Sequence, residues 1–111
     1  MANYNLNNLS ILFVEDSRFS RLLTRSLLFT VGVRKIQLAN DGAQAIEMLK
    51  RMGETDDADG GGGVDMVISD LVMPGVDGLE LLNWIRRDPK SPNAFLPFSL
   101  LTARADSDVI T

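Results

Sequence analysis

The 111-residue sequence has no cysteine and no histidine, and each absence removes a class of chemistry. Without thiols there are no disulfides and no thiolate metal sites. Without imidazole there is no Ser-His triad, no His-ligated zinc and no phosphohistidine carried by the chain itself. Long apolar runs are missing too: no segment approaches the roughly 20 residues that span a bilayer. Met1 to Asn8 is polar and Asn-rich, unlike a secretory signal, and is expected to be a disordered leader. Lysine is scarce, with Lys35, Lys50 and Lys90 the only examples, and the formal net charge is -4. That sign disfavours general attraction to nucleic acid or anionic membranes. The densest basic group, Arg86, Arg87 and Lys90, follows a helical pattern whose dipole it complements. A cysteine-free chain of this kind is expected to be soluble and cytoplasmic.

What is present suits one domain: 45% of the residues are apolar, enough to bury a single core. Leu9 to Val14 is apolar at successive positions, as in a strand buried on both faces. Ser17 offers an N-cap, and Phe19, Leu22, Leu23, Leu27 and Val31 recur at helical spacing up to Gly32. Val33 to Leu38 predicts a second strand. Asn40 or Asp41 then caps a helix with Ala45, Ile46, Leu49 and Met52 on one face and Gly53 as its stop. Asp65 to Ser69 predicts a third strand ending at Asp70, and Gly78, Leu81, Leu82 and Ile85 a third helix ending near Asp88-Pro89. Phe98 to Leu101 predicts a fourth strand, after which Asp106 or Ser107 starts another helical pattern.

Between the second helix and third strand, Glu54 to Gly63 is acidic and then glycine-rich, which predicts a loop. Calcium binding through Asp57, Asp59 and Gly60 fails on inspection, because Thr55 and Met66 occupy the first and last ligand positions of the pattern. Repeated strand-helix units predict an α/β fold: a doubly wound, mainly parallel sheet with helices on both faces. Functional groups in such sheets gather beyond the carboxyl ends of the strands, where strand order reverses.

Polar residues end three of these strands: Glu15 and Asp16 the first, Asp70 the third and Thr102 the fourth. If the first and third strands are neighbours, three carboxylates converge, and their repulsion calls for a cation or a proton. Oxygen ligands alone point to Mg²⁺, with Thr102 placed to hydrogen-bond a bound phosphoryl group. Capping of the following helix explains Glu15 and Asp16 about equally well when they are taken alone. Asp70 precedes a proline-containing turn and caps nothing adjacent, so it carries more weight.

The segments ILFVED (11–16), DMVISDLVMPGVDGLELL (65–82) and FSLLTA (98–103) resemble the receiver domains of two-component response regulators, CheY-like proteins with a flavodoxin-like topology. The resemblance runs from Leu9 onward and is most specific around Asp70, Met73-Pro74 and Asp77-Gly78. It implies that Asp70 takes a phosphoryl group from a phosphohistidine on a sensor histidine kinase or a histidine phosphotransfer protein. It implies Mg²⁺, or Mn²⁺, held by Asp16, Asp70 and the backbone carbonyl of Val72, with Glu15 acting through water. Thr102 would bond the phosphoryl group and carry the switch, small Ala103 would leave it accessible, and Pro74 and Gly78 would shape the loop and start the third helix. The chain would be a signalling phosphoacceptor and not an enzyme in the ordinary sense, limited to Mg-dependent autophosphorylation from small donors and autodephosphorylation.

The resemblance also implies a fifth strand bearing a lysine, followed by a fifth helix. Neither is found in the sequence, so residues 9–111 are expected to form a receiver truncated after the fourth strand. A missing lysine removes a charge-assisted contact of about 1.5 to 3 kcal/mol. It also leaves the fourth strand an unpaired apolar edge, with Phe98, Leu100 and Leu101 poorly covered, which predicts a homodimer or strand-swapped oligomer. Three other functions compete. A phosphorylation-independent interaction module would bind partners regardless of Asp70. A flavin or nucleotide site would want a glycine-rich turn where Glu15-Asp16-Ser17-Arg18 stands. An aspartate-based phosphatase would want a second aspartate at Val72.

Overall fold

In the computed structural model, which describes residues 6–54 and 63–101, the apolar runs pair with one another and the helical patterns form the crossovers between them. The elements are β1 (Ser10–Val14), α1 (Arg18–Thr30), β2 (Lys35–Ala39), α2 (Gly42–Glu54), β3 (Met66–Asp70), α3 (Gly78–Arg87) and β4 (Phe98–Leu101). All strand pairs are parallel, in the order β2-β1-β3-β4. The chain steps one way from β1 to β2, then crosses back over β1 to β3 and on to β4. Right-handed crossovers convert that reversal into α1 on one face and α2 with α3 on the other. The doubly wound α/β architecture expected from the sequence is the one observed.

Alternation along β1 divides its side chains between the two faces. Leu12 and Val14 join Ala39 and Val67 beneath Ala45 and Leu49 of α2 and Leu81 and Ile85 of α3, with Met73 and Leu96 closing the cluster. Each fully buried Leu or Ile contributes about 1.5 to 3 kcal/mol, so this face dominates the stability.

The opposite face is different. Ile11 and Phe13 are buried, yet no residue of α1 is. Phe19, Leu22, Leu23, Leu27 and Val31, which recur at helical spacing in the sequence, all remain exposed, Phe19 by 75%. Periodicity marks an apolar face; it does not supply a cover. The ends of α1 are nonetheless well made. Ser17 Oγ accepts the Ser20 amide at 3.3 Å, as anticipated for an N-cap. At the other end the Val33 amide donates to Leu28 O at 3.0 Å and the Gly32 amide to Phe29 O at 3.1 Å. This Schellman pattern requires the left-handed backbone that Gly32 adopts at φ +113°.

Several boundaries differ from the sequence reading. Val33 is a buried member of the α1 cap instead of the start of β2. The second helix runs through Gly53 to Glu54, so Gly53 is not its stop. Asp65 precedes β3 and clips it to β1: its carboxylate accepts the Ser10 amide at 2.8 Å and its own amide donates to Ser10 O at 2.7 Å. Leu6–Asn8, within the stretch read as a disordered leader, form a 3-10 turn, so order begins before Leu9. Arg86 does more than complement a dipole, donating to the carbonyls of Ala94 at 3.1 Å and Leu96 at 2.8 Å and tying the loop before β4 to α3. Among the described residues nothing pairs with the outer side of β4. Phe98 and Leu100 are half-buried there and Leu101 is exposed.

Candidate functional site

The reversal of strand order sets the carboxyl ends of β1 and β3 side by side. Val14 is in register with Ser69, so the next residue on each strand, Glu15 and Asp70, emerges at the same level. Both are buried, while Asp16, one step further, is exposed. One oxygen from each of Glu15, Asp16 and Asp70 lies within 4.8 Å of the other two. The convergence expected from the sequence is therefore present for all three carboxylates.

Local structure fixes the two buried ones, Asp70 and Glu15. The Leu71 amide is shared between Asp70 Oδ1 at 3.0 Å and Leu101 O at 2.7 Å. Ser69 Oγ donates to the Asp70 carbonyl at 2.9 Å. Glu15 is held at three points: its amide donates to Ala39 O at 3.1 Å, its Oε2 accepts the Ser17 amide at 3.0 Å, and its carbonyl accepts Arg21 Nη1 at 2.8 Å. Burial pushes the Glu15 carboxyl above its ordinary pKa, a hydrogen bond with Asp16 and the charges of Asp70 and Asp16 push the same way, and the Ser17 amide opposes them.

Among the described residues no arginine or lysine forms an ion pair with these carboxylates. Lys50 pairs with Glu47 at 3.8 Å on the exposed side of α2. Lys35 begins β2, at the opposite end of the sheet from the carboxylates, and Lys90 lies beyond α3. Three crowded, unpaired carboxylates form an all-oxygen donor set that fits a hard divalent cation such as Mg²⁺ or Mn²⁺. Val72 follows two residues after Asp70 in the exposed turn towards α3. Thr102 and Ala103 lie outside the described residues, as do Asp57, Asp59, Gly60, Asp106 and Ser107. A groove of about 670 Å³ between α2 and α3, lined by Ile46, Val76, Leu79 and Trp84 among others, contains none of the three carboxylates.

Sequence reasoning missed two supports of the site. The capping box of α3, in which Asp77 accepts the Glu80 amide at 2.8 Å and Glu80 accepts the Asp77 amide at 3.1 Å, was visible as Asp-Gly-Leu-Glu. Arg21 gave no comparable signal, since nothing in its spacing shows that its guanidinium turns back to the β1 end.

A comparison with protein families matches the response regulator receiver domain over residues 11–111. The chain belongs to this family. Chemotaxis protein CheY-3 of Vibrio cholerae is 35% identical to this receiver over 103 residues, which cover 93% of the chain and 70% of that protein. The N-terminal domain of a response regulator receiver protein from Methanoculleus marisnigri has a TM-score of 0.70 and 27% identity, covering 87% of this chain and 68% of its own. The receiver domain of the histidine kinase CKI1 from Arabidopsis thaliana, solved with Mg²⁺ and BeF3-, shares the fold at a TM-score of 0.75 and 22% identity, covering 92% and 72%. The receiver is thus a CheY-like domain of two-component signalling, and its acidic group stands where the strand order reverses. No helix among the described residues is long and apolar enough to cross a membrane.

Proposed function

We propose that Asp70 accepts a phosphoryl group from a phosphohistidine on a partner, either a sensor histidine kinase or a histidine phosphotransfer protein. The observation that carries this reading is a buried aspartate at the end of a strand flanked on both sides, with Glu15 and Asp16 oxygens within 4.8 Å. These 111 residues contain no histidine, so the donor imidazole lies outside them. An Asp70 carboxylate oxygen attacks phosphorus in line, the P–N bond breaks, and its electron pair leaves with the imidazole nitrogen. Asp16, Asp70, Glu15 acting through water and the Val72 carbonyl would hold Mg²⁺ or Mn²⁺. When bound, the ion supplies neutralisation of the phosphoryl oxygens. Thr102 donates a hydrogen bond to the transferred group and carries the switch, and Ala103 leaves the group accessible.

The product is an acyl phosphate, labile enough for a signal that must decay. On this reading the chain is a phosphoacceptor and not an enzyme acting on a separate substrate. Its chemistry is limited to autophosphorylation from small donors and loss of its own phosphoryl group, in the cytoplasm and without direct nucleic-acid binding. Incubation with Mg²⁺ and a small acyl-phosphate donor, followed by intact-mass measurement, tests it. One added phosphoryl mass in the wild type and none in Asp70→Asn is expected; no gain in the wild type, or an equal gain in the variant, overturns it.

A second reading is a receiver fold that binds partners independently of phosphorylation; among the described residues Lys35, Lys50 and Lys90 all lie away from the carboxylates. Metal-free partner binding that is unchanged in Asp70→Asn would select it. We also infer self-association through β4, because its outer side is unpaired among the described residues and Leu101 is exposed. A concentration-dependent increase in solution mass is expected, and a monomer at all concentrations contradicts it.

A further inference from the structure

We propose that Arg21 is a positioning residue for the cation site: by holding the Glu15 carbonyl, its guanidinium fixes the turn from β1 to α1 so that Glu15 and Asp16 present their carboxylates beside Asp70. The inference rests on the reading of the acidic group given above and adds to it a residue outside that group.

Three observations lead there. Helix α1 has no acidic residue in its first turn, which instead contains Arg18 and Arg21. Positive charge at a helix N-terminus opposes the helix dipole, so Arg21 is not where helix electrostatics alone would place it. Its Nη1 bonds the Glu15 carbonyl at 2.8 Å, and among the described residues its guanidinium forms no ion pair with a carboxylate. It therefore fixes main chain and leaves the carboxylates free to serve as ligands. Lastly, Asp70 ends a strand paired on both sides, through β1 and β4, whereas Glu15 and Asp16 lie in the turn that follows β1. Of three groups whose mutual repulsion favours their separation, two depend on that turn for their place. Arg21 restrains it from the helix side, while Ala39 O and the Ser17 amide restrain it from the sheet and from within.

Positioning and simple charge predict opposite signs for its removal. Electrostatically, loss of a cation beside a cation site tightens divalent-ion binding. Loss of a positioning contact weakens it, by roughly 10- to 100-fold where outer contacts orient metal ligands. Titration calorimetry with Mg²⁺ on the full chain would compare the wild type with Arg21→Ala, Arg21→Lys and Arg18→Ala. Arg18 is exposed, and removing it changes the charge by the same amount without touching Glu15.

The expected result is Mg²⁺ affinity lowered about tenfold or more in Arg21→Ala, largely restored in Arg21→Lys, and unchanged or slightly raised in Arg18→Ala. Circular dichroism confirms the fold of each variant, and Arg21→Gln replaces Arg21→Ala if the alanine variant does not fold. Unchanged or tighter binding in the Arg21 variant overturns the proposal, as does equal weakening in Arg18→Ala. Absence of Mg²⁺ binding in the wild type would instead overturn the underlying reading of the site.

Discussion

The backbone of Gly78, the first residue of α3, lies directly against the main-chain oxygen of Asp70. A β-carbon at that position would collide with this oxygen, approach Leu100 Cδ1 to 2.6 Å and reach Leu71 Cα at 3.0 Å. The Gly78 amide in turn donates to Leu71 O at 2.9 Å. Two of the three obstacles are main chain and cannot swing aside. Gly78→Ala should therefore destabilise the fold by about 1 to 3 kcal/mol, seen as a lower denaturant midpoint, and should disturb Asp70 from behind. A variant as stable as the wild type would show that α3 can shift freely.

Glu15 makes stability depend on pH with a definite sign. Its carboxyl is raised above the ordinary 4.5 in the folded chain, so the folded protein binds this proton more tightly than the unfolded one. That contribution is fully present below the ordinary value and is lost as pH rises through the raised one. Near neutrality the buried charge is a penalty that Glu15→Gln removes while keeping an acceptor for the Ser17 amide. Without added metal, the variant should melt a few degrees above the wild type at pH 7, and the gap should close towards pH 4. Added Mg²⁺ should raise the wild-type midpoint more than that of the variant. A variant that melts lower at pH 7 would contradict this account.

The start of α3 depends on Asp77 and Glu80, each accepting the other's amide. Asp77→Ala should cost about 1 kcal/mol, with Asp77→Asn or Asp77→Ser close to wild type. Urea unfolding should show a shifted midpoint at constant slope. A changed slope would place the effect in the unfolded state or in the cooperativity of the transition.

Arg86 secures the loop before β4 through Ala94 O and Leu96 O, and Leu96 is buried in the core. Arg86→Ala should lower stability by about 1 kcal/mol and speed hydrogen exchange at the Leu96 amide, which donates to Asn93 O at 3.1 Å. An unaltered Leu96 exchange rate would show that the guanidinium contacts are dispensable.

The acidic group was legible because it depends on coarse facts: apolar strands that end in carboxylates, and a topology that brings the first and third together. Val14 beside Ser69 is enough to turn sequence positions into neighbours. Strand β2 was placed too early because Val33 is apolar, and apolarity does not distinguish a strand from a buried helix cap. Gly53 looked like a terminator, but α2 accommodates it, since glycine's cost in a helix is small beside burial of Ala45 and Leu49. Least legible was the environment of α1. Phe19, Leu22 and Leu27 have the spacing of a core face, and only three-dimensional packing reveals that nothing described lies over them. The supports around Glu15 were hidden for a related reason, as a bond from Arg21 to a carbonyl leaves no trace in residue pattern.

The exposure of α1 has a consequence for how order is distributed in the molecule. Local opening costs least where the fewest apolar groups are buried, and α1 buries none of its residues completely. It begins two residues after Asp16, and its first turn supplies Arg21. Opening of that helix thus removes the Arg21 restraint on the turn that carries Glu15 and Asp16 and leaves the contact with Ala39 O, while Asp70 stays pinned in the sheet. With a cation bound as proposed, ion occupancy and helix protection would be linked equilibria: a cation that needs all three carboxylates would slow amide exchange in α1, and anything that clamps α1 from outside would raise affinity for the cation.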